Sequence, residues 1–228
     1  MGTLNLNDVN SVLKGYNMLL YFAGSMIMYE PDEECVIDFW SNGILRSLPV
    51  KSSNPRFMEA ASQLRESCKD RTTCRENLQN DFRRLFSAGT LSLAPPVESF
   101  YTGNSLSESG HKEKVGDFYD SYGWKRKTRL NIPDDSLGIE LLFLTLLVDK
   151  YISFEDDACR LEMRKEIRRF IGNHILSWLS EWNHLMQVNA GTLCYKGIST
   201  LVFACCEDIY DLMDYGSDKG ESQKYLRN

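Results

Sequence analysis

Apolar residues recur along most of this chain at steps of three and four, the spacing that lays one stripe along an α-helix. Leu6, Val9, Leu13, Tyr16, Leu20, Ala23 and Ile27 form the first stripe. They predict a long opening helix that ends at Glu30-Pro31-Asp32, because proline disfavours helix in the residue before it. A second helix is expected from Pro31 to Trp40, broken by Ser41-Asn42-Gly43. Asn54 is placed to cap the next one, with Pro55 at its first position. Residues 72–89 offer another, with Leu78, Phe82, Leu85 and Phe86 on its apolar face and Gly89 past its end. Helix resumes at about 111–123 and at about 134–152. There "NIPDDSLGIELLFLTLL" (131–147) passes from a proline and two aspartates into a stretch that is apolar on nearly every face. A helix without a polar face belongs in the middle of a bundle. Residues 153–186 read as one or two helices with a charged first half, and Ile198, Leu201, Val202, Cys205, Ile209, Leu212 and Met213 give the cleanest amphipathic stripe.

No alternating-polarity strand bounded by Asn-Gly or Asp-Gly turns is present, and no repeat of fixed period. The expected fold class is all-α: a single globular bundle of about eight to ten helices with one long mid-chain loop. That loop is 90–111, rich in serine and containing Pro95-Pro96 and two glycines. A loop of this length inside a compact protein is usually functional or mobile. The helical domain is expected over 1–216, followed by a polar, frayed tail over 217–228.

Length and charge narrow the function. The 228 residues are 43% hydrophobic and 25% charged, enough for one large core. A net charge of −6 and the absence of a basic stripe argue against nucleic acid. The one dense basic cluster, "GWKRKTR" at 123–129, is flanked by acidic segments and reads as a solvated turn. The seven cysteines show no CxxC spacing and the three histidines no HxxxH, so neither a metal nor a redox pair is expected. They read as small core hydrophobes in a reducing compartment. No basic segment followed by an apolar run opens the chain, and the longest uncharged apolar-rich run, 15–29, is shorter than the ~18–20 residues of a membrane span. A cytoplasmic protein without stable membrane insertion is expected.

No catalytic machinery is legible. There is no GxSxG, no GxGxxG after a strand and no GxxxxGK[ST]. Asp156-Asp157 reads as a helix start stabilised by the macrodipole, and His174 and His184, ten apart, as packing or surface residues. No catalytic residue, cofactor or metal is assigned. What stands out are "PPVESFYTG" at 95–103 and "IPDDSLGIELLF" at 132–143.

In this order and spacing the two stretches resemble the TorD/DmsD/NarJ family, cytoplasmic chaperones for bacterial and archaeal molybdoenzymes. The family's loop corresponds to Glu98, Ser99, Phe100, Tyr101, Thr102 and Gly103. Its helix ending in glycine corresponds to "VGDFYDSYG", and its P-x-D-H motif and E-L-x-F-M helix to Pro133, Asp134, Asp135 and Ser136, then Glu140, Leu141, Phe143 and Leu144. "FIGNHILSWLSEW" and "YKGISTLVF" are similar to its later segments. The resemblance covers roughly 10–213. One departure is Ser136, where the family commonly has histidine; serine keeps hydrogen bonding but loses the charge switch.

The resemblance implies a partner: the precursor of a molybdopterin-containing reductase catalytic subunit, bound by its twin-arginine leader or N-terminal region until its cofactor is inserted. Asp134, Asp135, Glu98 and Glu140 could meet the guanidiniums, and Ser99, Ser136 and Gly103 are expected among the peptide-binding residues with them. Tyr101, Phe100, Trp124 and Leu137 could supply an apolar wall. Exposed Arg–carboxylate pairs contribute only ~0–1 kcal/mol each. Burying a leucine or phenylalanine contributes ~1.5–3 kcal/mol, and micromolar affinity needs about −8 kcal/mol. The apolar groove must therefore carry most of the affinity, while the acids set orientation. A helical regulatory or scaffold protein that binds a partner helix is the alternative. Monomer and domain-swapped dimer both stay open.

Overall fold

The structure, a computed structural model, describes residues 6–32, 47–67, 71–87, 92–103, 114–126 and 131–214. Among these the elements are α1 (Leu6–Met28), α2 (Pro55–Glu66), α3 (Arg71–Phe82, continued by a π turn Arg83–Ser87), α4 (Glu98–Thr102) and α5 (Val115–Ser121). They continue with α6 (Leu137–Ser153), α7 (Asp157–Phe170), a π turn Ile171–Ile175, α8 (Leu176–Asn189) and α9 (Leu193–Asp214). No β-strand occurs among the described residues, so the fold is all-α as expected. The second helix expected at 31–40 lies almost wholly outside the described residues. So do residues 90–91 and 104–111 of the long loop, residues 127–129 of the basic cluster and the tail 217–228.

The opening stripe is buried as its spacing predicts: Leu13, Tyr16, Leu20, Ala23 and Ile27 all lie in the core. The side chain of Asn54 accepts from the backbone N–H of Arg56 at 3.0 Å, and Pro55 opens α2. Asp156 caps α7 in the same way, accepting from Cys159 N–H at 2.8 Å.

Two helices occupy the middle. α6 buries Leu137, Ile139, Leu141, Phe143, Leu144, Leu147 and Val148, fitting its lack of a polar face. α9 is also buried almost all round, beyond its amphipathic stripe, because its polar residues have internal partners. Asp208 accepts from Tyr16 Oη at 2.7 Å, Ser52 Oγ at 2.6 Å and Asn54 Nδ2 at 3.0 Å. This one buried carboxylate joins α1, the entry to α2 and α9. The start of α9 is held from α3: Asp81 accepts from the N–H groups of Gly191 and Thr192 at 3.0 and 2.7 Å. Cys74 is disulfide-bonded, against the reading of all the cysteines as core thiols, whereas Cys159, Cys205 and Cys206 are free thiols. Cys159 is exposed rather than buried.

α1 and α6 cross at glycines. A Cβ on Gly138 would stand 2.3 Å from Met28 Cγ and 3.4 Å from the Gly24 carbonyl oxygen, so the start of α6 lies directly against the end of α1.

Candidate functional site

α6 starts at Leu137, about three residues later than its sequence suggests. Pro133 and Ser136 close a turn through a Ser136 N–H to Pro133 carbonyl bond of 3.2 Å. Ser136 then takes an extended conformation and forms an antiparallel bridge with Val97. Leu137 N–H donates to the Pro96 carbonyl and Glu98 N–H to the Asp135 carbonyl, both at 2.9 Å. The two stretches singled out in the sequence are thus pinned together by backbone bonds. Within the described part of the long loop, Val97 pairs with Ser136 and Glu98–Thr102 is helical, while 92–96 has no regular structure.

Asp135 does not cap its own helix. Its carboxylate accepts from the N–H of Ser99 at 3.0 Å and so caps α4 from across the bridge. Ser136 stands at the N-cap of α6, makes no side-chain capping bond and is buried. Gly103 ends α4 at φ 64°, ψ 173°, a left-handed φ that L side chains rarely adopt, so its glycine has a conformational reason. Asp134 is exposed and lies 3.4 Å from Arg126 Nε, while its carbonyl accepts from Tyr119 Oη at 3.0 Å. Arg126 also donates to the Ile132 carbonyl, which folds the basic turn back over the acidic one.

Glu98 and Glu140 lie deeper. Glu98 is buried, with its Oε2 3.3 Å from His174 Nδ1. His174 sits in the π turn, where one extra residue per turn re-aims the helix face, and is 1% exposed. Its Nε2 has no hydrogen-bond partner among the described residues. Glu140 is fully buried in the first turn of α6. Its charge helps raise the Tyr119 phenol and the Cys206 thiol, so it lies between α5 and α9.

Tyr119 of α5 ties the four acids together. Burial is the main reason its phenol is held far above the ordinary value, and Glu140, Asp134, Asp135 and Glu98 push in the same direction. Every acid expected at the site therefore falls within electrostatic reach of one tyrosine. Trp124 packs edge-on to Tyr119 at 4.8 Å and against Phe143 at 5.3 Å. On the other flank Tyr101 stacks on Trp178 at 5.1 Å, and Phe100 stands 60% exposed with its ring 5.0 Å from that of Tyr101. Burial, with Glu181 nearby, raises the Tyr101 phenol.

Leu137 and Glu140 are completely buried and Ser136 nearly so; they build the site from beneath. The accessible surface includes Asp134, Ser99 and Phe100, with Asp135, Tyr101 and Trp124 half-buried at its edges. Sequence reasoning missed Tyr119 and read His174 as packing. Both lie inside stretches that carried the resemblance, "VGDFYDSYG" and "FIGNHILSWLSEW". Among the described residues no group of three or more His, Cys, Asp or Glu side chains is placed to hold a metal, and no helix is long and apolar enough to cross a membrane.

By class this is an all-helical protein with an acidic, aromatic-edged surface. A family profile described as the nitrate reductase delta subunit matches residues 52–183, more than half of the chain, and the chain belongs to this family, that of TorD and NarJ. Among its curated relatives is the chaperone protein TorD of Vibrio cholerae serotype O1, 26% identical over 165 residues, which cover 71% of this chain and 74% of the relative. The chaperone protein TorD of Vibrio vulnificus is 29% identical over 165 residues, covering 71% and 75%.

Proposed function

We propose that the protein is a cytoplasmic maturation chaperone for a redox enzyme. It binds the twin-arginine leader, or the N-terminal region, of the precursor of a molybdopterin-containing reductase catalytic subunit. It holds that precursor while cofactor insertion and folding proceed, before export, and catalyses no reaction itself. Membership of the TorD and NarJ family and the chaperone names of the relatives support this role. The observation that carries the leader-binding part is the meeting of Glu98, Asp134, Asp135 and Glu140 around Tyr119, with Asp134 and Asp135 at the surface beside exposed Phe100.

A guanidinium arriving there meets carboxylates that already have partners. Asp134 shares its charge with Arg126, and Asp135 accepts from a backbone N–H, so a leader arginine joins the cluster through remaining oxygen lone pairs. Such partly exposed pairs contribute ~0–1 kcal/mol each, which fits a role in selecting the basic pair rather than in supplying the bulk of the affinity.

Titration calorimetry with a synthetic leader peptide tests this reading. Asp135→Asn keeps an acceptor for Ser99 N–H and removes the charge, so affinity should fall about two- to fivefold while the thermal midpoint stays within a few degrees. If the wild-type protein binds the peptide no better than a version with both arginines replaced by glutamine, the leader reading is wrong.

A further inference from the structure

Three of the exposed large apolar side chains lie on one side of α1 and on the residue just past its end. Met18 is 52% exposed, Tyr21 62% and Tyr29 48%. At 3.6 residues per turn the three fall within an arc of roughly 80°, so they form one stripe. Beside the stripe opens a cleft of about 310 Å³, lined by Phe22, Met26 and Pro49 as well as by the stripe itself. Glu30, which pairs with Arg83, and Asp32 also belong to its lining. An apolar stripe beside an apolar cleft is the kind of surface that marks an interaction site, unlike single exposed residues scattered elsewhere.

The cleft lies close to the acids. Its lining includes Tyr29 and Glu30, the residues that follow Met28, and Met28 seats directly on Gly138. Gly138 is three residues from Asp135 and four from Asp134. The acidic mouth of α6 and the apolar cleft of α1 therefore meet at one helix crossing.

We propose that this cleft seats the apolar core of the leader whose basic end meets Asp134 and Asp135. The inference rests on the leader-binding reading and names the subsite that supplies its affinity. Met18 to Tyr29 spans about 16 Å of helix axis at 1.5 Å per residue. About five residues of extended chain cover that length at ~3.3 Å each. A peptide with a basic pair followed at once by an apolar run thus reaches both places. The volume is at the small end of ligand pockets, ~300–1,000 Å³, which suits a few aliphatic side chains. Charge points to the same occupant: Glu30 and Asp32 belong to the cleft's lining, with Glu30 already paired to Arg83 as Asp134 is to Arg126, and the net charge of −6 favours a cationic peptide over a second copy of this acidic protein.

The test uses the full chain and two synthetic peptides, one with an Arg-Arg pair and an apolar run of ~7–15 residues, the other ending after the basic segment. Met18→Glu and Tyr21→Glu alter exposed side chains, so both variants should fold, which circular dichroism checks. Wild type should bind the long peptide at least about tenfold more tightly than the short one, and either variant should abolish most of that difference while leaving the short peptide's affinity unchanged. Equal binding of the long peptide by wild type and both variants overturns the cleft assignment and leaves the leader reading standing. Failure of wild type to bind either peptide overturns both. If sedimentation shows wild-type dimers that Met18→Glu dissociates with leader affinity unchanged, the cleft is a self-association surface and the proposal fails.

Discussion

The contact between Glu98 and His174 connects the surface of the site to the core. Glu98 opens α4, whose next residues, Ser99, Phe100 and Tyr101, form the exposed edge, while His174 belongs to a π turn 76 residues away in sequence. Replacing His174 by phenylalanine removes a buried polar contact from that carboxylate. The expected cost is about 1–3 kcal/mol, with faster amide exchange at Ser99 to Tyr101 as α4 loosens. Unchanged exchange there would show that the backbone bridge at Val97 and Ser136 holds α4 alone. At this scale the sequence singled out the acids as candidates, because they lie within short stretches of distinctive order. It did not reveal what each one does. Asp135 precedes α6 in the chain, and only the fold shows it capping α4. Tyr119 and His174 were hidden for a related reason: a tyrosine or histidine on an apolar helix face looks the same whether or not a distant carboxylate lies against it.

Among the elements, the crossing of α1 and α6 depends on an absent side chain. A Cβ at Gly138 would stand 2.3 Å from Met28 Cγ, and because that atom is close to the α1 backbone the helices must separate or Met28 must change rotamer. Gly138→Ala should destabilise the protein by about 1–3 kcal/mol in urea unfolding, and because the crossing lies beside the acids it should also weaken leader binding. A neutral result on stability would mean that Met28 swings aside freely. The periodicity of α1 and α9 located both helices, since a 3.6-residue stripe survives in any helix that packs on one side. It understated the burial of α9, where Ser199, Thr200 and Asp208 look like a polar face. Their partners come from other elements: Gln187 donates to Ser199 and Thr200, and Tyr16, Ser52 and Asn54 donate to Asp208. The late start of α6 was equally hidden, because nothing local in Pro133 to Ser136 announces a bridge to Val97.

For the molecule as a whole, the buried phenols make stability depend on pH in the alkaline range. Burial, then Asp208, holds the Tyr16 phenol far above its ordinary value, burial and the four acids do the same for Tyr119, and burial with Glu166 pushes Tyr122 up to about 12. In the unfolded chain these groups ionise near ~10. A raised folded value means that the stabilisation is complete below the unfolded pKa and is lost as pH rises towards the folded one. Above about pH 10 the unfolded state therefore binds fewer protons, and stability should fall by roughly 1.4 kcal/mol per pH unit for each fully buried phenol. Urea unfolding at about pH 9 and about pH 11, with phenolate absorbance followed in parallel, checks this; equal stability at the two values would mean that the phenols are not held.

The all-helical class was legible because it needs only period and the absence of alternation. The location of an apolar cleft on α1 was not, since the stripe read as core, with exposed Met18 and Tyr21 beside it on the same helix and Tyr29 just past its end. The central claim, that one leader peptide occupies the acidic mouth of α6 and the cleft together, is tested most directly by hydrogen exchange of the full chain with and without a leader peptide carrying both arginines. Slower exchange should appear in 97–102, 133–139 and 18–29 and be lost from the first two segments when the arginines are replaced. Protection confined to other segments, or none at a peptide concentration far above the micromolar range, would contradict it.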